Sequence, residues 1–155
     1  KKRAMKKVTL TIASILISGI LVAQDYSPPS NVRTSFTKKH PTAVVDEWID
    51  DDTQFVCYFE DGSDYGSAYF SPKGVWISSE FIINEDDLPA NVSSGVKGKY
   101  IGFEIIGVTK REDIKQIVYV VSIYNNSTEQ DLLITLDPNG KIVKEEDLSD
   151  DDSFE

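Results

Sequence analysis

Two short turn motifs occur twice in this sequence, in the same order, and this repetition limits the fold more than any other feature. Pro29-Ser30-Asn31-Val32 returns sixty residues later as Pro89-Ala90-Asn91-Val92. The form apolar-x-Pro-x-Gly occurs at 70–74 and returns sixty-six residues later at 136–140. Both motifs keep their order and nearly the same spacing. The chain is therefore predicted to contain one structural unit twice, in units of about 30–83 and 88–147.

Each unit begins with a stretch that is typical of a short amphipathic helix. Val32 and Phe36 stand at positions i and i+4, and Val92 and Val96 repeat that spacing. Ser30 follows a proline and is expected to act as the N-cap of the first helix. The two predicted helices span 31–39 and 89–100.

Four short runs of strand-forming residues follow each helix and are separated by turn residues. Connections as short as these turns cannot make parallel crossovers. The predicted fold class is therefore α+β, a tandem repeat of two α-β-β-β-β units that form an open antiparallel sheet with the helices on one face. Turns are expected at 60–64 and 111–113, among others. The predicted strands span 43–50, 54–60, 67–70 and 75–83 in the first unit and 102–110, 116–125, 132–136 and 141–145 in the second.

Neighbouring side chains on a strand point to opposite faces of the sheet, so alternation assigns each residue to one face. The residues expected to face the helices are Phe55, Cys57, Phe59, Ala68, Phe70, Tyr119, Val121, Ile123, Ile134 and Leu136. Those expected on the opposite face are Val56, Tyr58, Tyr69, Val118, Val120, Tyr124 and Leu133. This second set is unusually apolar for a face left to water, so a covering partner is expected.

The same spaced positions resemble a family of small secreted bacterial proteins. The positions that carry the resemblance are Phe36, Ala43, Trp48, Phe55, Cys57, Phe59, Phe70, Gly74, Leu88, Pro89, Val92, Tyr100, Tyr119, Val121, Ile123, Leu136, Asp137 and Gly140. Together they look like the PepSY-like, β-lactamase-inhibitor-like proteins over about 32–143. The resemblance implies a tandem-repeat sheet that grips a partner, and it transfers no functional residue. This chain departs from the family pattern at His40, where Tyr is usual, and in its degenerate second helix.

The first residues have the pattern of a secretory signal peptide. Lys6 and Lys7 precede an uncharged, mostly apolar run over 8–22, and the small residue Ala23 follows. A membrane anchor is the alternative, but it needs about 20 apolar residues. Cleavage is expected near Ala23, giving a periplasmic or secreted protein. The predicted division is a signal peptide with a short extension over 1–23, a linker over 24–29, the repeat domain over 30–147 and an acidic tail over 148–155.

The formal net charge is −10, with 26 acidic and 16 basic residues. Nucleic acids and anionic membrane surfaces recruit clustered Lys and Arg, so this balance argues against both as partners. Acidic turns favour either plain solubility or a partner with a basic surface.

Residues that could carry catalysis are few. The single Cys57 and single His40 are expected on separate faces, with Cys57 a buried, inert thiol and the His40 side chain meeting the last carbonyls of the first helix. Acidic runs at 50–52, 85–87 and 150–152 do not match a calcium-binding loop. The sequence therefore predicts a protein that is not an enzyme and has no metal site and no cofactor. A hydrolase that uses a pair of carboxylates is the alternative.

Aromatic residues on the predicted strands give the candidate binding site. They are Trp48, Tyr58, Tyr69, Trp76 and Tyr124, residue types that are enriched at interfaces. The expected partner is another envelope protein, bound or inhibited through the open sheet face. Three alternatives stay open: Trp48 and Trp76 cap the core at the sheet edges, the two tryptophans line a groove for a small molecule or peptide, or the face is covered by self-association.

Overall fold

The computed structural model describes residues 27–149, so the predicted signal segment 1–23 and the acidic run 150–152 lie outside the described residues. Each unit has one helix and four strands, as predicted. The first contains α1 (Ser30–Lys39), β1 (Val44–Asp50), β2 (Phe55–Asp61), β3 (Asp64–Phe70) and β4 (Trp76–Ile82). After a single 3-10 turn (Glu85–Asp87), the second contains α2 (Ala90–Lys99), β5 (Glu104–Asp113), β6 (Ile117–Asn125), β7 (Gln130–Leu136) and β8 (Ile142–Asp147).

All eight strands form one sheet in which each strand pairs with its neighbour in the chain, and every pairing is antiparallel. The sheet is open, with β1 and β8 at its edges, and both helices pack on the same side. This confirms the predicted α+β class and its short hairpin connections. No helix within residues 27–149 is both long enough and apolar enough to cross a membrane.

Each helix buries its apolar side against the half of the sheet from its own unit. Val32 and Phe36 of α1 pack on the first half, and Val92 and Val96 of α2 pack on the second. Burying a side chain of this size stabilises the fold by about 1.5–3 kcal/mol. All ten residues predicted to face the helices are buried in these two clusters, which confirms the alternation.

The two repeated motifs contact each other within each unit, which explains why they recur together. Asn31, at the start of α1, lies against Gly74, and Asn91, at the start of α2, lies against Gly140. Gly74 has φ +78° and Gly140 has φ +81°, a backbone conformation that residues with a side chain rarely adopt. A Cβ atom on Gly74 would stand 2.9 Å from Asn31 Nδ2, and one on Gly140 would collide with the backbone of Asn91. The turn after the third strand is therefore the support on which each helix begins.

The repeat extends to irregularities that the sequence pattern did not indicate. One extra residue interrupts the first strand of each unit, Asp46 in β1 and Ile106 in β5. Another interrupts the last strand, Ile77 in β4 and Val143 in β8. These bulges recur at the spacings of the two turn motifs. Because a bulge increases the local twist of a sheet, both halves curve at matching places.

Two predicted turns are wrong. The hairpin after β2 is a two-residue loop, because Asp61 pairs with Asp64 and Glu60 pairs with Tyr65. The strand β3 therefore begins at Asp64, three residues earlier than expected. The strand β5 continues to Asp113 through the stretch predicted to turn, because Arg111 pairs with both Glu80 and Val118.

The ends of the predicted domain also differ in detail. Ser30 is the first residue of α1 and not its cap; Pro29 occupies the N-cap position, with no side-chain capping bond. At the other end, the backbone N–H of Leu148 donates to the carbonyl of Asp131 at 2.8 Å. The N–H of Asp131 in turn donates to Ser149 Oγ at 2.9 Å. Ordered contacts therefore continue beyond residue 147, where the tail was expected to begin.

Candidate partner-binding face

The side of the sheet opposite the helices is called the open face. Strand pairing places on it the seven residues predicted for that side, and none of them belongs to either core cluster. The open face carries Val56, Tyr58, Tyr65, Ser67, Tyr69, Ser78, Glu80, Ile82, Thr109, Arg111, Val118, Val120, Tyr124 and Leu133.

Parts of the open face are buried although no helix lies over them. Val56 is only 6% exposed and pairs with Ile49 and Tyr69, and Val118 is 8% exposed and pairs with Arg111. The expectation that these valines await a partner is therefore wrong in part. Larger side chains on the neighbouring strands already remove them from water.

Two hollows that share Glu80 and Thr109 shape the open face. The smaller, here called the tyrosine pocket, has a volume of about 280 Å³. The larger has a volume of about 580 Å³ and lies over the second unit. The tyrosine pocket is lined by Tyr58, Tyr65, Gly66, Ser67, Tyr69, Glu80, Ile82 and Thr109. The larger hollow is lined by Glu80, Thr109, Arg111, Asp113, Gln116, Val118, Val120, Leu133, Thr135, Val143, Lys144 and Glu146.

Three tyrosines surround the smaller hollow. The rings of Tyr58 and Tyr65 are nearly parallel, at 13°, with centroids 6.5 Å apart. The Tyr65 hydroxyl donates to Asp46 Oδ2 at 3.4 Å, and the Tyr69 hydroxyl donates to Glu80 Oε2 at 3.5 Å. The pocket thus combines aromatic walls with carboxylates.

Burial and the nearby carboxylates both raise the pKa values of the Tyr65 and Tyr69 hydroxyls in the pocket. Desolvation raises the pKa of Tyr65 above its ordinary value of 10.0, and the nearby charges of Asp46 and Glu47 raise it further. Desolvation likewise raises the pKa of Tyr69, and Glu80 adds to this effect while a hydrogen bond from Ser67 opposes it. A carboxylate disfavours a second negative charge beside it, so both phenols stay protonated at neutral pH.

The larger hollow contains two ion pairs. Arg111 Nε lies 3.6 Å from Glu80 Oε1, and Lys144 Nζ lies 2.8 Å from Glu146 Oε1. This hollow is wider and more polar than the tyrosine pocket. Ligand sites are mostly apolar with a few polar groups, which favours the tyrosine pocket as the stronger candidate.

Solved structures with the same fold include proteins from several Bacteroides species. A DUF2874 family protein from Bacteroides ovatus is 24% identical, with a TM-score of 0.73 over 81% of this chain and 91% of that chain. A BLIP-like protein from Bacteroides fragilis is 16% identical, with a TM-score of 0.73 over 84% of this chain and 93% of that chain. A candidate periplasmic protein from Bacteroides eggerthii is 18% identical, with a TM-score of 0.71 over 80% of this chain and 91% of that chain.

This chain has the BLIP-like fold. At these levels of identity the likeness shows the fold alone. Comparison of the sequence with protein-family models and with curated proteins gave no match.

Within this BLIP-like fold, both tryptophans lie on the helix side, not beside the tyrosines. Trp48 is buried, with ring centroids 5.5 Å from Phe36 and 6.1 Å from Phe70. Trp76 packs against the same core and donates from Nε1 to Ser79 Oγ at 2.9 Å. A groove lined by both tryptophans on the open face is therefore excluded. Trp48 does cap the core from edge strand β1, whereas Trp76 lies on β4 in the middle of the sheet.

Of the five predicted site residues, Tyr58 and Tyr69 come together in the tyrosine pocket. Tyr124 lies on the open face of β6 and lines neither hollow. Sequence reasoning missed Tyr65, which is 39% exposed and has the same parity on β3 as Tyr69. The alternation along β3 identifies Tyr65, but the predicted turn at 60–64 ends directly before it and the predicted strand begins only at 67.

Cys57 and His40 both lie on the helix side, so their predicted separation onto two faces is wrong. Burial raises the pKa of the Cys57 thiol to about 12, and its Sγ donates to the carbonyl of Tyr58 at 3.6 Å. The His40 ring bonds to Ser79 Oγ at 2.9 Å, whereas the helix carbonyl of Phe36 accepts from the His40 backbone N–H instead. A thiol with so high a pKa is not a nucleophile at neutral pH.

The acidic runs within residues 27–149 have structural partners. Asp51 Oδ1 accepts backbone bonds from Thr53 and Gln54, and hydrogen bonds, first from the Gln54 side chain, lower the Asp51 pKa. Glu85 pairs with Lys97 at 2.8 Å, from the 3-10 turn to α2. Across this part of the chain, no three His, Cys, Asp or Glu side chains group as metal ligands.

Proposed function

We propose that this chain is a non-enzymatic protein that binds another protein through its open face. The observation that carries the proposal is the tyrosine pocket on a sheet face that no helix of the described chain covers. Tyr is enriched among the residues that dominate binding energy at interfaces. An uncovered apolar patch rimmed by polar groups marks an interaction surface.

Fold-level likeness supports the same proposal. One of the similar structures is described as BLIP-like, and the spaced positions of this sequence resemble the PepSY-like, inhibitor-like family. Both point to a sheet used for gripping a partner, and we extend that use to this chain by analogy of fold. The net charge of −10 favours a partner with a basic surface.

We further propose that the chain acts in the cell envelope. Segment 1–23 would direct export and be removed near Ala23, segment 24–29 would link it to the repeat domain over 30–147, and the acidic tail would follow. One similar structure is a candidate periplasmic protein, which agrees with this placement. Mass spectrometry of the chain purified from its host would test it, since a mature species that keeps 8–22 contradicts export.

Site-specific photo-cross-linking tests the binding proposal. A photo-reactive amino acid is placed at Ser67, in the tyrosine pocket, and in a matched variant at Thr34, on the exposed side of α1. Irradiation of envelope preparations should give a discrete adduct with another protein from Ser67 and none from Thr34.

The mass of the adduct separates the alternatives. An adduct of twice the chain mass would show that a second copy covers the open face. Equal adducts from both positions, or adducts from Thr34 alone, would contradict the proposal.

A further inference from the structure

We propose that the tyrosine pocket receives one arginine side chain from the partner protein. This inference rests on the proposed function, because it names the group by which the partner is anchored. It follows from the size of the pocket, the arrangement of its rings and the charges around it.

The volume of the pocket suits a single long side chain. Sites for small molecules usually enclose about 300–1,000 Å³, and the tyrosine pocket encloses about 280 Å³. It is also open to solvent along the sheet, so that a side chain can enter from a partner surface laid across the open face. A residue with an extended stem and a flat end is small enough to enter this volume.

The aromatic walls favour a cation with a planar, weakly hydrated head group. Tyr58 and Tyr65 present nearly parallel rings with centroids 6.5 Å apart, and Tyr69 also lines the pocket. A guanidinium group stacks on aromatic faces and is attracted by their quadrupoles. A lysine ammonium is more strongly hydrated and has no plane with which to stack.

The lining of the pocket supplies the matching charge. Glu80 is the one ionised side chain among its described lining residues. Its carboxylate contacts Tyr69 at 3.5 Å and Arg111 at 3.6 Å, both long, so its oxygens keep capacity for shorter bonds. A carboxylate can accept two parallel bonds from an arginine.

Charge at the rim points the same way. Asp46 bonds to the Tyr65 hydroxyl, and Glu47 contributes to the raised pKa of the same phenol. Together with Glu80 these give three carboxylates, and among residues 27–149 only Arg111 forms an ion pair with any of them. An anionic ligand would be repelled here, and a neutral one would leave Glu80 without an added partner. An incoming arginine is the group that complements both the rings and the charge.

The test uses N-acetylarginine methylamide as the probe and N-acetylcitrulline methylamide as its uncharged isostere. Two-dimensional NMR of the full chain should show chemical-shift changes at Tyr58, Tyr65 and Tyr69 that saturate as the arginine probe is added. A dissociation constant of roughly 1–10 mM is expected for one side chain. The citrulline probe should give no saturable shift.

Three variants locate the effect. Tyr65→Ala should abolish the shifts, and Glu80→Gln should weaken the affinity at least tenfold. Tyr124→Ala removes a tyrosine from the same face outside the pocket and should leave the affinity unchanged. The comparison of the two probes needs only the unmodified chain. It therefore tests whether the pocket selects a charged guanidinium even if a variant fails to fold.

Several outcomes would overturn the inference: equal binding of the citrulline probe, equal binding of N-acetyllysine methylamide, or an equal loss of affinity in Tyr124→Ala. If the arginine probe fails while Ser67 still gives a partner adduct, this inference falls and the proposed function stands. If the arginine probe binds while Ser67 gives no adduct, the pocket accepts an arginine side chain but no partner protein supplies it, so the proposed function and this inference both fall.

Discussion

His40 Nε2 lies 2.9 Å from Ser79 Oγ, and this bond ties the C-terminal end of α1 to β4. The second unit has a counterpart, in which the hydroxyl of Tyr100 at the end of α2 donates to Glu145 Oε2 at 2.7 Å. Ser79 Oγ also accepts a hydrogen bond from Trp76 Nε1. The Ser79 hydroxyl proton is then free to donate to a neutral imidazole, and protonation of the ring would remove that acceptor.

We expect the stability of the fold to fall as the pH drops below 6.5. Desolvation, then the charge of Lys39, lowers the pKa of His40 from its ordinary value of 6.5, although Asp61 and Glu112 oppose this. The unfolded chain therefore binds the proton more readily than the folded chain does. The free energy of unfolding should decrease from pH 6.5 down to the folded-state pKa, and this group should have no effect above 6.5.

Urea unfolding at pH 7.5, 6.5 and 5.5 measures this dependence. His40→Gln keeps a polar side chain but cannot titrate, so its free energy of unfolding should change much less between pH 6.5 and 5.5. An equal loss of stability in both proteins would show that other groups cause it.

Opposite effects are expected from neighbouring residues on β2 and β3. Phe59 and Phe70 are fully buried on the helix side, and changing either to Ala should lower the free energy of unfolding by about 3–5 kcal/mol. Tyr58 and Tyr69 lie half-buried on the open face. Changing either to Ala should therefore lower the free energy of unfolding much less, and should instead reduce partner binding. Chemical denaturation of the four single variants compares them, and a larger loss in the Tyr variants would mean that the faces are assigned the wrong way round.

Two glycines in α2 provide a matched pair. A Cβ atom on Gly95 would collide with the carbonyl of Gly140 and stand 3.2 Å from Leu136 Cδ2, whereas one on Gly98 meets nothing within 4 Å. Gly98→Ala should therefore stabilise the protein by about 0.5–1 kcal/mol through helix propensity. Gly95→Ala should destabilise it by about 1–3 kcal/mol through overpacking. Thermal unfolding of both variants tests this, and equal shifts of Tm would contradict the close approach of α2 to the 136–140 turn.

Cys57 should react with thiol reagents only after unfolding. The thiol is fully buried, and its pKa of about 12 keeps it protonated at pH 8. An aromatic disulfide reagent followed by absorbance should label denatured protein at once and native protein slowly. Cys57→Ser should cost about 1–3 kcal/mol of stability and leave partner capture intact; a loss of capture in a folded variant would assign the thiol a functional role.

Much of the fold could be read from local pattern. The recurrence of two turn motifs predicted the repeat, and period-two alternation placed residues such as Phe59 and Tyr58 on the correct faces, because a strand allows only two side-chain directions. The first turn motif and the second lie far apart in sequence, however. Only the folded chain shows that they meet, with Asn31 on Gly74.

The candidate site was predictable to a smaller extent. Tyr58 and Tyr69 were identified from their parity, but Tyr65 was missed because a hairpin length depends on which residues pair across it. The aromatic character of Trp48 and Trp76 suggested binding, yet both pack on the helix side.

The sequence by itself determined the number of elements, their order and the alternation along each strand, since these depend on residues a few positions apart. The tertiary structure decided where the bulges at Asp46 and Ile77 fall and which charges meet, as Glu80 meets Arg111. Strand register and long-range ion pairs depend on the free energy of the whole sheet, which no short stretch of sequence contains. For that reason the pocket between Tyr58, Tyr65, Tyr69 and Glu80 became visible only in the folded chain.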